Sequence, residues 1–344
     1  MNNHKDSIIL GIESSCDDTS AAVIHNGFLL SNVIANQTVH QKFGGVVPEL
    51  ASRAHQENII PVVDTALKQA NISVKDLSAI AFTRGPGLLG SLLVGTSFAK
   101  SLSLALDIPL LDVHHMKAHI HAHFIQDKKD LKPTPKFPFL CLTVSGGHTQ
   151  IVYVEAPLKM KVVGSTIDDA VGEAFDKAGK SLGLGYPAGP RIDKLAKEGD
   201  NDKYHFTYPK AGKLNYSFSG LKTQFLNFLN KEKLKDEDFI KKEINNICAS
   251  YQLHLIKYLI INLKKAIEKY PCNDIALAGG VAANSELRRQ IKTLGKEYGY
   301  DTHIPKIDYC TDNAAMIAMS GLFMEKEKLF TDLSIGAKAR INMD

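Results

Sequence analysis

Apolar and polar positions fall in blocks along this chain, and the blocks recur. Residues 7–25 (SIILGIESSCDDTSAAVIH) read as an apolar strand, a small polar turn from Ser14 to Asp18, and a second apolar strand. Residues 138–154 (PFLCLTVSGGHTQIVYV) show the same pattern around a turn from Ser145 to His148. Each hairpin is followed later by a strand, a glycine loop and a helix: AIAFTRGPGLLGSLLVGTSFAKSLSLAL at 79–106, and DIALAGGVAANSELRRQI at 274–291. Strands alternating with helices predict sheets with helices packed on their faces. Two hairpin-led halves predict an internal duplication whose turns meet across a cleft, although the pattern alone also fits an unduplicated run of α/β elements.

Other blocks fill in the organisation. The apolar stretch IPLLDV runs straight into HHMKAHIHAH, so the histidines open a helix after a strand. Residues 236–269 carry a long helical pattern with a solvated basic face at Lys241, Lys242, Lys257, Lys264 and Lys265. Gln126 to Phe137 (QDKKDLKPTPKF) is charged and proline-containing, a surface linker. The expected division is therefore 1–126, a linker at 127–137, and 138–344. Inside the second half, Glu198 to Gln224 is irregular and rich in Lys, Tyr and Phe. Basic residues interleaved with aromatics suit a phosphate backbone and stacked bases. The same composition also suits a solvated loop anchored to the core by its aromatics.

Composition narrows the class. The chain has 344 residues, 44% hydrophobic and 23% charged, which is ordinary for a globular protein of about two domains. No apolar stretch approaches the ~20 residues needed to span a bilayer, so no membrane association is expected. The start, MNNHKDSIIL, is too short and too polar for a signal peptide. Five scattered cysteines without a CxxC pair suggest neither a zinc knuckle nor a disulfide framework and fit a reducing cytoplasm. A net charge of +4 permits nucleic acid as a partner without arguing for it.

The chemistry concentrates in three places. Five of the thirteen histidines (His114, His115, His119, His121, His123) fall in one run. His115 and His119, four apart on a helix, project from one face and suit a shared transition-metal ion. The arrangement is similar to the HExxH helix of zinc peptidases, but HMKAH holds no Glu between its histidines. The turn Ser145-Gly146-Gly147-His148 offers backbone N–H groups and a hydroxyl to phosphate oxygens. Gly279-Gly280 closes a strand before a helix opening near Asn284, where a base or ribose can approach the backbone. Among the acids, Asp17 and Asp18 sit in the first turn. Asp169, Glu173 and Asp176 share a helix face suited to a metal or a ribose, while Asp168 and Asp169 equally suit a helix N-terminus. Asp312, in CTDNAAMIAM, has helix N-cap context.

The segments GIESSCDDTSAAV, FGGVVPELASRAH, GPGLLGSLLVG, VHHMKAH, SGGHTQIV, DDAVGEAFDKAGKSLGLGYPAGP, SFSGLKT, LAGGVAAN and CTDNAAMIA occur in this order from about Ile8 to Gly321. In that order they resemble the universal tRNA N6-adenosine threonylcarbamoyltransferase family, whose members were once described as O-sialoglycoprotein endopeptidases. The resemblance implies a duplicated α/β fold of the actin/Hsp70/sugar-kinase type: two ribonuclease-H-like halves with a central cleft. It implies that His115 and His119 are metal ligands and that Asp312 supplies a carboxylate ligand from the other half, for Fe(II) or alternatively Zn. It implies that Thr143, Val144, Ser145, Gly146 and Gly147, with Asp176, Gly189, Asp193 and Asn284, hold the adenylate and threonylcarbamoyl substrate. Lys117, Ala188 and Asp18 depart from residues common in relatives.

The implied reaction moves a threonylcarbamoyl group from threonylcarbamoyl-AMP, made by a separate synthase, to N6 of adenosine 37 in the anticodon loop of tRNAs reading codons that begin with A. AMP leaves. Asp17 and His148 are the candidates for a general base. Implied partners are a shorter paralogous subunit, in a heterodimer formed through helices of the first half, and a small P-loop ATPase. Two other readings stand beside it. A metal-dependent endopeptidase is favoured by the histidine pair and opposed by the missing Glu. A non-catalytic nucleotide-binding scaffold is opposed by the intact His115, His119 and Asp312.

Overall fold

A computed structural model describes residues 6–37, 40, 43–209 and 211–343; the polar residues 1–5 of the N-terminal reading lie outside them. In chain order the strands and helices are β1 (Ile8–Glu13), β2 (Thr19–His25), β3 (Phe28–Ala35), α1 (Pro48–Ala70), β4 (Ala79–Gly85), α2 (Leu89–Leu106), β5 (Leu110–His114) and α3 (His115–His121). Then follow β6 (Phe139–Val144), β7 (Thr149–Ala156), β8 (Lys159–Ser165), α4 (Val171–Ser181), α5 (Gly189–Ala196), α6 (Ser219–Lys233) and α7 (Phe239–Lys269). Last come β9 (Asp274–Ala278), α8 (Ser285–Tyr298), β10 (Asp301–His303) and α9 (Ala314–Lys326).

These elements form two units with one topology. The first holds a five-stranded sheet ordered β3-β2-β1-β4-β5, the second one ordered β8-β7-β6-β9-β10. In each, the leading strand pairs antiparallel with the next (β1 with β2, β6 with β7) and parallel with the strand after the first helical crossover (β1 with β4, β6 with β9). The duplication read from the hairpins is therefore real at the level of strand order.

In the first unit the period of two along β1 divides its neighbours. Leu10 and Ile12 join a core with Ile59, Val62, Val63 and Ala99 of α1 and α2. Gly11, pointing the other way, meets α9: a Cβ there would lie 2.4 Å from the Ala314 carbonyl oxygen. Only glycine lets strand and helix backbones come this close. Gly321 makes the reciprocal approach to Ala81 and Ile9. In consequence the described residues of 311–344 pack with those of 1–134 and 156–160 in the first unit, while those of 135–155 and 161–310 form the second. The division expected at 126 and 138 placed the whole C-terminal segment in the second half; helix α9, laid on β1, moves it to the first.

Helix α2 corrects a second expectation. It is 18 residues long with mean hydropathy 1.4, enough by length and composition to cross a membrane. In this fold it packs on α1 and β4.

The second unit is built on α7, buried along most of its length from Ile247 to Ile267 with Lys241, Lys242, Lys257 and Lys265 outside. The stretch expected to be irregular to Gln224 stops sooner, because α6 begins at Ser219. Its aromatics Tyr216 and Phe218 are fully buried, so anchoring to the core explains them. The linker residues 127–133 are exposed and carry no helix or extended strand.

Candidate functional site

Two clusters of functional side chains form, one in each unit. In the first, β5 ends at His114, whose Nδ1 accepts the Met116 N–H at 3.2 Å and starts α3. One turn of α3 then sets His115 and His119 edge to face, ring centroids 4.8 Å apart. Both Nε2 atoms converge on Asp312 Oδ1, at 3.3 Å from His115 and 3.1 Å from His119. Asp312 precedes α9 by two residues, so the close packing of α9 on Gly11 is what delivers it. The ligand set expected from two halves thus lies within a single unit. The three donor atoms lie within 4.8 Å of one another.

Behind His115 stands a residue that the sequence reading missed. Glu13, the last residue of β1, is fully buried, and its Oε2 lies 3.1 Å from His115 Nδ1. The same carboxylate accepts the Thr83 hydroxyl at 2.6 Å and the Ser15 N–H at 2.5 Å. Burial opposes the charge on Glu13, but the imidazole of His115 outweighs it and holds the carboxyl below its usual range. Burial likewise opposes a cationic His115, and Asp312 and Glu13 overcome it, raising its pKa well above the ordinary histidine value. The cluster therefore favours positive charge at its centre. Two imidazoles and a carboxylate around such a point suit Fe(II) or Zn, and a carboxylate behind one imidazole fixes which nitrogen faces the ion. His119 has no such support: its Nδ1 is buried with no hydrogen-bond partner.

The first hairpin turn adjoins this cluster. His55 of α1 clamps it, with Nδ1 2.7 Å from the Thr19 hydroxyl and Nε2 3.0 Å from the Cys16 carbonyl oxygen. Asp17 and Asp18 are part-buried. Burial, then the charges of Asp17, Asp312 and Glu13, push the Asp18 carboxyl up to about 7.

The second cluster surrounds the turn after β6. Ser145 N–H donates to the His148 carbonyl at 2.8 Å, and the Ser145 hydroxyl accepts the His148 N–H at 3.1 Å. Ser145 thus helps to close the turn and keeps its hydroxyl donor. Gly146 and Gly147 are exposed, with nothing within 4 Å of where a Cβ would stand. Gly172 at the start of α4 packs against Gly146 from behind, where a Cβ would lie 2.9 Å from the Gly146 backbone N. Thr143 and Val144 lie fully buried in β6 and form the floor. Gly279, at φ +89°, presses on this floor: a Cβ would lie 2.4 Å from the Val144 carbonyl oxygen.

The remaining expected residues link into one frame. Asp176 accepts the backbone N–H groups of Ala188, at 2.8 Å, and Gly189. One turn further along α5, Asp193 accepts the Ser285 hydroxyl at 2.8 Å. Asn284 caps α8 through Leu287 N–H at 3.0 Å and donates to Gln252 at 2.7 Å. Gly189 is open, with nothing within 4 Å of a Cβ. The acidic helix face proposed for a metal or ribose dissolves: Lys177 pairs with Asp169 at 2.6 Å and Glu173 at 2.8 Å. Asp168 does not cap α4; it accepts the Phe218 N–H at 2.7 Å and so anchors the start of α6.

Residues 28–319 match the family described as tRNA N6-adenosine threonylcarbamoyltransferase. A tRNA N6-adenosine threonylcarbamoyltransferase of Christiangramia forsetii is 57% identical over 332 residues, covering 96% of this chain and 97% of the relative. One from Porphyromonas gingivalis is 56% identical over 319 residues, covering 93% and 94%. Among solved structures, T. kodakarensis HypF aligns with TM-score 0.59 at 14% identity, over 93% of this chain and 48% of HypF. A full-length HypF in a phosphate- and nucleotide-bound form gives 0.56 at 14% identity, over 94% and 46%. The chain spans about half of HypF, and the likeness is one of fold: the duplicated actin/Hsp70/sugar-kinase architecture.

Proposed function

The chain belongs to the tRNA N6-adenosine threonylcarbamoyltransferase family, and from that premise we propose how its two clusters divide the work. The reaction attaches a threonylcarbamoyl group to N6 of an adenosine in tRNA. The donor in this reading is threonylcarbamoyl-AMP and the acceptor adenosine 37 of the anticodon loop, where a base is splayed out without breaking a duplex.

The observation that carries the division is the contrast between the clusters: a His–His–Asp set backed by Glu13, and an acid-free glycine turn. His115, His119 and Asp312 would hold one divalent ion, Fe(II) or Zn. Such an ion, when bound, supplies Lewis acidity toward a carbonyl oxygen and a template for the threonyl group. Gly146 and Gly147 offer N–H groups to the phosphate of the adenylate. Asp176 and Asp193 hold α5 and the start of α8 in place, so that Gly189 and Asn284 border the nucleoside. Asp17 and His148 are the groups proposed to take the N6 proton. The peptidase reading finds no support on α3, where Met116, Lys117 and Ala118 separate the histidines.

The proposal extends to partners and place. The outer face of α2 carries Leu89, Leu93 and Leu104, each about half exposed or more, with Ile60 of α1 also outward. This apolar stripe suits a shorter paralogous subunit, and a small P-loop ATPase completes the set in the cytoplasm. The test is nucleoside mass spectrometry of unmodified tRNA incubated with this protein, its companions and threonylcarbamoyl-AMP. Threonylcarbamoyladenosine is the expected product; its absence with an active donor and all companions present refutes the reading.

A further inference from the structure

The loop between α5 and α6 sends its aromatics toward α7, and one is treated unlike the rest. Phe206 packs among Phe225, Phe228 and Tyr251, and Tyr216 and Phe218 are buried. Tyr208 is 39% exposed. Its ring lies flat on His254, centroids 4.2 Å apart at 14°, and nearly parallel to Tyr258 at 5.5 Å. Burial pushes His254 down to about 4, so the stack rests on a neutral imidazole.

Beside Tyr208 opens a cavity of about 390 Å³, lined by Lys213, Asn215, Tyr258, Ile261 and Lys265 among others, and by no carboxylate. Lys257, Ile261 and Lys265 are spaced four apart and exposed, so they follow one face of α7 over about 12 Å. Among the described residues, Lys213, Lys257 and Lys265 form no ion pair with an acid. Lys265 instead donates to Asn262 at 3.0 Å. The result is a flat, exposed aromatic with Lys213 and Lys265 around the acid-free cavity on one side and, on the other, Lys257 beside Asp202 and in the field of Glu286.

We propose that this face is a docking site for the tRNA, gripping nucleotides other than the adenosine that reacts. An acidic peptide would use the lysines but not the flat ring, and a free phosphate would need neither the ring nor the length. A nucleotide chain uses all three: bases stack on Tyr208 while Lys213, Lys257 and Lys265 meet successive phosphates. The inference rests on the reading of tRNA as the substrate and adds where it is held.

The test is the dissociation constant of unmodified tRNA across a potassium chloride series, with the full-length protein. The triple variant Lys213→Ala/Lys257→Ala/Lys265→Ala removes three exposed charges and the Lys265–Asn262 hydrogen bond, so an unchanged Tm is the check that the fold is kept. It should bind at least about tenfold more weakly at moderate salt, with the log–log salt slope flattened by about two. Tyr208→Ala should weaken binding about fivefold or more without changing the slope, and Tyr208→Phe should restore it. In turnover, KM for tRNA should rise while kcat at saturating tRNA, AMP affinity and metal content hold. Wild-type tRNA affinity and slope in the triple variant overturn the proposal, and leave the face to an acidic protein. Failure of the functional reading looks different: the wild-type protein then binds tRNA but makes no threonylcarbamoyladenosine.

Discussion

The two hairpin turns hold the same place in sheets of the same strand order, and only the first is acidic. The first, Ser14 to Asp18, is tightly enclosed. Ser14 donates to the Ser91 carbonyl at 3.0 Å, and a Cβ on Gly87 would lie 2.4 Å from the Ser15 carbonyl oxygen. Four carboxylates, Glu13, Asp17, Asp18 and Asp312, act on one another around it. The second turn, Ser145 to His148, contains no acid and leaves Gly146 and Gly147 open. A phosphate brought to the first turn would meet like charge; at the second it meets backbone N–H groups. The comparison teaches that a duplicated frame specialises through what fills each turn and which helix leans on it. Helix α9 brings Asp312 to the first, and glycine keeps the second bare.

The largest effect expected is on the first turn's cluster. His115→Ala/His119→Ala should lose bound Fe(II) or Zn by more than about 100-fold in affinity, beyond the usual loss from removing an outer partner. Metal analysis of freshly purified protein checks it, with AMP binding as the internal control. Full metal occupancy in the double variant would break the assignment, and loss of AMP binding alongside it would show that the two turns are not independent.

Gly146→Val is the reciprocal experiment. A branched side chain would stand where the phosphate approaches. AMP affinity should fall by roughly 10- to 100-fold, the worth of one or two hydrogen bonds to a charged group. Metal content should not move. Unchanged AMP affinity by calorimetry would place the phosphate elsewhere, and the acids of the first turn make that alternative unfavourable.

Glu13→Gln probes the support behind His115. Glutamine keeps the shape and removes the charge, so metal affinity should fall by about 10- to 100-fold while folding is preserved. A competition titration with a chelating dye reads this without reference to turnover. Wild-type affinity would mean that Asp312 alone sets the site's preference for a cation.

How much of this was legible in the chain depends on the range of the interactions. The hairpins, the β5–α3 junction and the helix after Gly279 were readable because period and turn chemistry are local. The pairing of His115 with His119 was readable because four residues make one helical turn. Asp312 could be matched to its partners only by resemblance, and its unit was misjudged. Its position depends on Gly11 and Gly321 letting α9 lie against β1, a contact between residues some 300 apart. Glu13 was missed because a single acid at the end of an apolar strand looks like the start of a polar turn. Its one local hint was that five of the six residues of β1 are apolar or glycine, so an acid in line with them is carried toward the core. The helix face expected from Asp169, Glu173 and Asp176 does not form, because α4 starts at Val171 and Asp176 turns to the Ala188 N–H. Lys177 neutralises the other two.

The smallest effect sharpens the comparison through stability. The Asp18 carboxyl rises from an ordinary 3.8 to about 7 in the folded protein, burial first and its acidic neighbours second. A folded value above the unfolded one means that ionised Asp18 opposes folding. That cost is absent below about pH 4, grows between pH 4 and 7, and is complete above pH 7. Full shielding would make it about 4 kcal/mol, but the carboxylate is part-exposed and water screens it, so about 1–2 kcal/mol is expected. Asp18→Asn should therefore raise Tm by roughly 2–6 °C at pH 8 in chelator-treated protein, and leave it unchanged at pH 4. A divalent ion added back should shrink the gain, because it offsets the same carboxylate repulsion that the substitution relieves. The equivalent turn in the second unit has no acid to remove, so no substitution there should show this pH pattern. A gain at pH 4 as large as at pH 8 would trace the effect to packing in place of charge, and would remove electrostatic crowding as the feature that sets the first turn apart.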